Sequence, residues 1–365
     1  MISLLQRWFN RYFSDPQVIV LALLLVFGFT VILLGGEVLA PLFAAIIIAY
    51  LLDGPFERLV RLPGMPRILA VSLILLGFMT FVVVLLGIFI PLVLQQAGEF
   101  LRELPAMVGK GQQALLQLPE QYPNLFSEQQ VQDLNTTIRA EVGRLGQRAL
   151  SVSISSIVGL ITIMVYLILV PLLVFFFLKD KQQILSWTQD FMPDDDSLVR
   201  QVWGEVNTKI GSYVRGKFME IVIVWSVTYV TFALLGLNYA MLLSVLVGLS
   251  VIIPYVGAAL VTLPIAFVAY VQWGPETQFW YVMFAYGIIQ FLDGNLLVPL
   301  LFSEVVKLHP VAIITSVLLF GGLWGVWGVF FAIPLATLIQ AVLNAWPRNK
   351  RSTTDQTEAG DSPPA

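Results

Sequence analysis

The chain has no cysteine and a single histidine, and only 12% of its 365 residues are Asp, Glu, Lys or Arg. The missing cysteine excludes disulfides, thiol nucleophiles and cysteine-ligated zinc or iron–sulfur centres. His309 stands alone, so a multi-histidine metal site is excluded as well. Soluble domains carry roughly 25% charged residues. Half that density leaves too little polar surface for a water-soluble fold of this length. The net charge of -3 supplies no basic face for nucleic acid. Neither His-Glu-x-x-His nor Gly-x-Ser-x-Gly occurs, and an intramembrane aspartyl pair would need a second aspartate in an apolar run. No cofactor is called for.

What is present is apolar: 58% of residues are hydrophobic and the mean hydropathy is +0.85. Apolar runs place spans near 17–35, 38–52, 68–94, 151–178 and 218–235. Each approaches the ~20 residues that cross a ~30 Å hydrocarbon core. The second is short and contains Pro41. The expected class is therefore an all-α polytopic bundle whose first partner is the lipid bilayer. Residues 1–16 form an amphipathic segment, with Ile2, Leu5, Phe9 and Tyr12 on one face. No small-residue cleavage pattern follows the run Val18–Leu34, so this segment is expected to be retained. Arg7, Arg11, Arg58, Arg61, Arg67, Lys179, Lys181 and Arg348 flank alternate ends of the spans, whereas 35–37 and 236–239 carry no Lys or Arg. The positive-inside rule then places both termini in the cytoplasm, with an even number of crossings.

Three spans are expected within 17–94, followed by an extracytoplasmic region, 95–150. There Val131, Leu134, Ile138, Val142, Leu145 and Ala149 form an amphipathic stripe leading into the span 151–178. A cytoplasmic region, 179–217, carries helix-start chemistry at Pro193-Asp194-Asp195-Asp196-Ser197. Its stripe Leu198, Val202, Val206, Ile210 and Tyr213 suits a helix lying along the inner membrane surface. The polar residues 348–365 suit a disordered tail. Gly211-Ser-Tyr-Val-Arg-Gly216-Lys217-Phe218 imitates a phosphate loop, but Phe218 stands where a hydroxyl must hold magnesium. Lys217 is expected instead to meet lipid phosphates.

The region 218–347 is the expected membrane core. Two of its tracts are too long for one crossing: Tyr239–Gln272 with Pro254 and Pro264, and Leu308–Trp346 with Gly321, Gly322, Gly325, Gly328 and Pro334. Proline removes an amide donor, and glycine permits bends and close approach. Paired broken segments point to a transport site; the other reading is ordinary helices joined by tight interfacial turns. Between the tracts lies Asp293-Gly294-Asn295, with Pro299 four residues beyond Asn295. An acid near the bilayer centre costs about 2.5–3.5 kcal/mol, so its presence marks a cavity, a cation or a proton path. Alternatively, Asp-Gly-Asn marks a surface turn. Glu304 and Lys307 are spaced for a local ion pair. His309 stands alone at a helix start. Gly321 and Gly325 suit helix packing.

Several stretches together resemble the autoinducer-2 exporter family of bacterial membrane proteins. They are Phe175-Phe176-Phe177-Leu178-Lys179-Asp180, Arg215-Gly216-Lys217, Pro254-Tyr255-Val256-Gly257 and Asp293-Gly294-Asn295 with Pro299. Leu308-His309-Pro310, Gly321-Gly322 with Gly325 and Gly328, and Ile333-Pro334 complete the set. The order and spacing of these stretches carry the resemblance, which covers nearly the whole chain except the tail. It implies eight spans in the bacterial inner membrane, termini inside, a homo-oligomer such as a pentamer, and transport. Family members are linked to export of autoinducer-2 and to sodium– or lithium–proton exchange. Asp293 stands where glutamate is frequent in the family.

Three functions follow as expectations. The first is a secondary permease exporting a small solute, its path formed by Pro254, Gly257, Asp293, Gly294, Asn295, Pro299, His309, Gly321, Gly322 and Gly325. The second is a monovalent-cation–proton antiporter with Asp293 as the exchanged site. The third is a non-transporting membrane scaffold, which would lack a polar cavity.

Overall fold

A computed structural model describes residues 16–36, 38–121, 129, 132, 136, 156–190, 197–254, 256–302 and 308–345. The amphipathic stretch up to residue 15, the stripe Val131–Ala149, the Pro193–Asp196 segment, the Glu304–Lys307 pair and the C-terminal tail lie outside these. Among the described residues every regular element is helical. A chain in hydrocarbon has no water to satisfy its amides, so each apolar run satisfies them within itself.

Helices α1 (Pro16–Gly35), α2 (Ala40–Val60) and α3 (Arg67–Val84) open the fold. Pro41, which makes the second apolar run look doubtful, sits in the first turn of α2, where a missing amide removes no bond. α3 begins immediately after Pro66, whose extended backbone (φ -70°, ψ 143°) stops any earlier start. It runs through a π turn, Leu85–Phe89, directly into α4 (Ile90–Gln121). Then follow α5 (Ser156–Lys179), α6 (Lys181–Gln189) and α7 (Ser197–Leu234).

α7 departs from the sequence expectation of a surface helix ending at 217. It is one helix of 38 residues that crosses that boundary unbroken. Its stripe residues Val202 and Val206 pack on Leu21 of α1 and on Ala341 and Val342 of the last helix. The reason is local: nothing between 197 and 234 breaks a helix. Gly211 and Gly216 serve as contact points, pressed against Tyr50 and Phe302 respectively.

The two overlong tracts are both broken. The first is α8 (Ala240–Ser250) and α9 (Val256–Trp273), parted at Val251–Pro254, with Pro264 left inside α9. Eleven residues of α8 reach about 16 Å, roughly half of a ~30 Å core, so α8 is not an ordinary crossing. The second is α12 (Pro310–Ala345), broken at Gly325 (φ 59°, ψ -137°). A side chain at Gly328 would overlap the Phe320 carbonyl, and one at Gly321 would touch Val329. Eight residues of straight helix span about 12 Å, so the chain folds back on itself there. Between the tracts, α10 (Thr277–Leu292) continues through a π segment, Asp293–Leu297, into α11 (Val298–Phe302).

By length and composition, seven helices among the described residues can cross a membrane; two shorter apolar ones lie within α1 and α8. α2, α3 and α5 share one core around Ala45, Phe56, Val71 and Val174. α7 to α10 share another around Phe232, Leu243, Ile265 and Val282. Polar ties brace the bundle near both ends of α7. Near its start, Tyr50 donates to Asn207 at 2.5 Å and Lys181 pairs with Asp53 at 2.8 Å. Beyond its end, Gln272 bonds the Gly236 carbonyl and the Asn238 amide, and Tyr239 donates to Glu103 at 2.7 Å.

Gly257 lies against the Ser250 backbone, where an added methyl group would overlap the Ser250 carbonyl. Gly257→Ala is expected to cost about 1–3 kcal/mol, the range for overpacking a tight site, whereas Gly294 faces open space and its alanine variant should melt at the wild-type temperature or higher. Thermal unfolding of the purified proteins in detergent checks both. At the α7–α8 corner, burial, the hydrogen bond to Glu103 and the charges of Glu103 and Glu99 push the Tyr239 phenol up to about 12. The neutral, donating form is therefore the native one. Its stabilisation is full below the usual value of 10.0 and is lost as pH rises through about 12. Tyr239→Phe should cost about 0.5–1.5 kcal/mol at neutral pH in the same assay.

Candidate functional site

Lys217 and Glu220 lie one turn apart on the inner face of α7 and are 4% and 2% exposed. Burying two charges costs more than most surface pairs return, unless each finds further partners. Lys217 finds three. Its Nζ is 2.6 Å from Glu220 Oε2, donates to the Val251 carbonyl at 2.9 Å, and lies 5.2 Å from the centre of the Phe302 ring. Val251 ends α8, where the last carbonyls of a helix are unpaired and the dipole is negative. An ammonium there answers both needs.

The pair borders a cavity of about 310 Å³. Tyr213, Lys217 and Glu220 come from α7; Ser250, Val251, Ile253, Pro254 and Ala258 from the α8–α9 hairpin. Gln290, Asp293 and Gly294 come from α10 and the π segment, and Ile313 and Ile333 from the two halves of α12. Asp-Gly-Asn is therefore not a surface turn: it is helical, and the π register turns Asp293 inward. Asp293 Oδ1 and Gln290 Nε2 are buried atoms, and neither finds a hydrogen-bond partner among the described residues. π segments of this kind are frequent at functional sites. The volume falls at the low end of ligand pockets, about 300–1,000 Å³. A second cavity, about 420 Å³, lies between α2, α3 and α5. Its lining, from Ala44 and Ile48 to Val170 and Pro171, carries no charged group, so it offers nothing to bind a solute by charge.

The structure brings Pro254, Asp293 and Gly294 together at the first cavity. It sets the other sequence candidates elsewhere. Gly257 closes the α8–α9 hairpin. Asn295 is exposed and donates back to the Phe291 carbonyl at 2.9 Å, and Pro299 is exposed on α11. His309 is exposed at the start of α12, where its Nδ1 accepts from the Val311 amide at 3.3 Å. Gly321, Gly322 and Gly325 belong to the α12 fold-back, and none lines the cavity. Lys217, Glu220 and Gln290 are the residues that sequence reasoning missed. One signal existed: Lys217 and Glu220 share a helical face at the edge of the apolar run Ile221–Trp225. The phosphate-loop likeness drew Lys217 to the membrane surface instead, and its burial corrects that expectation.

Apolar helices with broken segments around a cavity bearing charged side chains are an arrangement found in membrane transport proteins. The model of the AI-2E family transporters matches residues 4–348. "Putative permease PerM" of Escherichia coli (strain K12) is 47% identical over 347 residues, covering 95% of this chain and 98% of that protein. "Putative transport protein YueF" of Bacillus subtilis (strain 168) is 25% identical over 306 residues, covering 80% of each. "Putative transport protein sll0063" of Synechocystis sp. is 25% identical over 362 residues, covering 93% of this chain and 88% of that protein. The chain belongs to the AI-2E transporter family, as its motifs suggested.

Lys217→Met leaves Glu220 buried without its cation, so it should destabilise the protein by about 3–5 kcal/mol. The double variant Lys217→Met/Glu220→Gln removes both charges and should recover more than half of that loss. Melting temperatures of the three proteins in one detergent decide the matter.

Proposed function

We propose that this chain is a secondary permease of the bacterial inner membrane that moves a small polar solute through the cavity between α7, the α8–α9 hairpin, the π segment and α12. The observation that carries the proposal is an unpartnered carboxylate and an unpartnered amide, Asp293 and Gln290, facing a buried ion pair where two broken helices meet. A scaffold has no use for polar groups left unsatisfied in its interior, because each costs desolvation energy. The expectation for a scaffold, an aspartate at a surface turn with no internal cavity, is at odds with this arrangement. The names of the relatives, permease and transport protein, point the same way. With no nucleotide motif in the sequence, an ion or solute gradient would drive the cycle. The basic residues at alternate span ends support cytoplasmic termini, and the family resemblance supports a homo-oligomer.

A second reading, monovalent-cation–proton exchange, is favoured by one observation. Asp293 has a second buried carboxylate, Glu220, in the same cavity.

Flux into proteoliposomes tests both. Loaded small solutes should leave when a proton or sodium gradient is imposed. Asp293→Asn should slow that flux at least about tenfold, the effect of losing about 1.4 kcal/mol of polar contact in the path. Equal flux in wild type and variant would remove Asp293 from the path. No gradient-dependent flux of any solute or cation across a broad panel would remove the permease reading altogether.

A further inference from the structure

The charges in the cavity do not balance. Glu220 and Asp293 bring two carboxylates, whereas Lys217 brings one ammonium. Among the described residues, the neighbouring elements supply no further charge. On α7 the Tyr213 phenol is committed to the Phe330 carbonyl at 3.2 Å. On α10 the Tyr286 phenol is committed to the Ala258 carbonyl at 2.9 Å. The hairpin contributes Ser250, Pro254, Ala258 and backbone groups, α11 contributes Phe302, and α12 contributes Ile313 and Ile333. With all three charged groups ionised, one negative charge is left over. An uncompensated charge at membrane depth is costly, so one positive charge must join the cavity.

The geometry decides where it goes. Lys217 is held at Glu220, at the open end of α8 and over the Phe302 ring. Glu220 is thus paired with a cation and, at 2% exposed, is the more deeply buried of the two carboxylates. Asp293 is only half-buried, and its Oδ1 has no partner among the described residues. We infer that Lys217 is a positioning residue: by occupying Glu220 it reserves Asp293 as the exchangeable site of the cavity, which takes one positive charge, a proton or a monovalent cation. Lys217 is also the built-in competitor for that site. If Glu220 loses its charge, the ammonium is released towards the remaining carboxylate and fills the place a ligand would take. This inference deepens the permease reading and rests on the same cavity.

The test reads occupancy directly and needs no transport. The full-length protein in lipid vesicles is treated with dicyclohexylcarbodiimide, which adds to protonated carboxyl groups in apolar surroundings, and peptides are then mapped by mass spectrometry. In wild type the label should fall on Asp293 and spare Glu220. In Glu220→Gln, labelling of Asp293 should drop about tenfold or more, because the freed Lys217 holds that carboxylate ionised. In Lys217→Met/Glu220→Gln the label on Asp293 should return. Parallel runs in sodium chloride and choline chloride at one pH separate the two sources of charge. Protection by sodium assigns a cation to the site, and protection only by raised pH assigns a proton; either supports the inference. Wild-type label on Glu220 as readily as on Asp293, label on neither, or unchanged Asp293 labelling in Glu220→Gln would overturn it. Should the labelling pattern hold while vesicles show no flux, the permease reading fails and the charge assignment stands.

Discussion

A helix too short to cross a ~30 Å hydrocarbon core exposes carbonyls that lipid cannot satisfy, and the C-terminal half of this protein is arranged around the end of one such helix, the eleven-residue α8. α8 ends at Ser250, with Val251 capping it, and the Val251 carbonyl is met by the ammonium of Lys217 from a different helix. Glu220, one turn further along α7, holds that ammonium in place. The pair therefore does two things at once. It makes the break in the first overlong tract tolerable, and it fixes α7 to the α8–α9 hairpin at the depth where the cavity lies. Buried pairs of this kind add little net stability compared with well-packed apolar side chains. Their presence is better explained by what they hold open.

The rest of the architecture follows from that constraint. Because α7 runs unbroken through 217, it carries contacts to α1, α2 and the end of α12 at one end and to the hairpin at the other. Gly248 and Gly257 let the hairpin close against α7 and against itself, where a side chain would overlap backbone or Trp225. The second break, at Gly325, brings Ile313 and Ile333 from opposite sides of α12 to one apolar wall of the cavity. The π segment at Asp293–Leu297 completes it by turning one carboxylate inward without interrupting the helix. A polar floor beneath an apolar wall, at the meeting of two broken helices, is an arrangement suited to a small solute or ion crossing a membrane.

Much of this was legible in the residues. Charge density and run length are properties of composition, and they required a helical membrane bundle whatever the packing. That both overlong tracts break was legible because proline and glycine act through the backbone, locally; that the breaks fall before Val256 and at Gly325, with Pro264 and Pro334 left inside helices, was not. Asp293 stood out because an acid among apolar residues is costly wherever it lies. Asn295, Pro299 and His309 were drawn in by the same local logic, but the surrounding helices leave them facing outward.

The sequence by itself determined the bundle, its helical breaks and the one acid that needed explaining, since each depends on neighbours along the chain. Only the tertiary structure decided that Lys217 and Glu220 are interior, that Gln290 joins Asp293, and that the glycines of α12 shape a fold-back and not a binding surface. The burial of the ion pair depends on residues far apart in the chain meeting in space, as when Lys217 meets Val251, 34 positions on, and Tyr213 meets Phe330, 117 positions on; the α12 fold-back depends on Phe320 meeting Gly328 and Gly321 meeting Val329 across the break at Gly325. A lysine beside lipid and a lysine beside a carboxylate look alike in one dimension; what distinguishes them is which helix stands opposite.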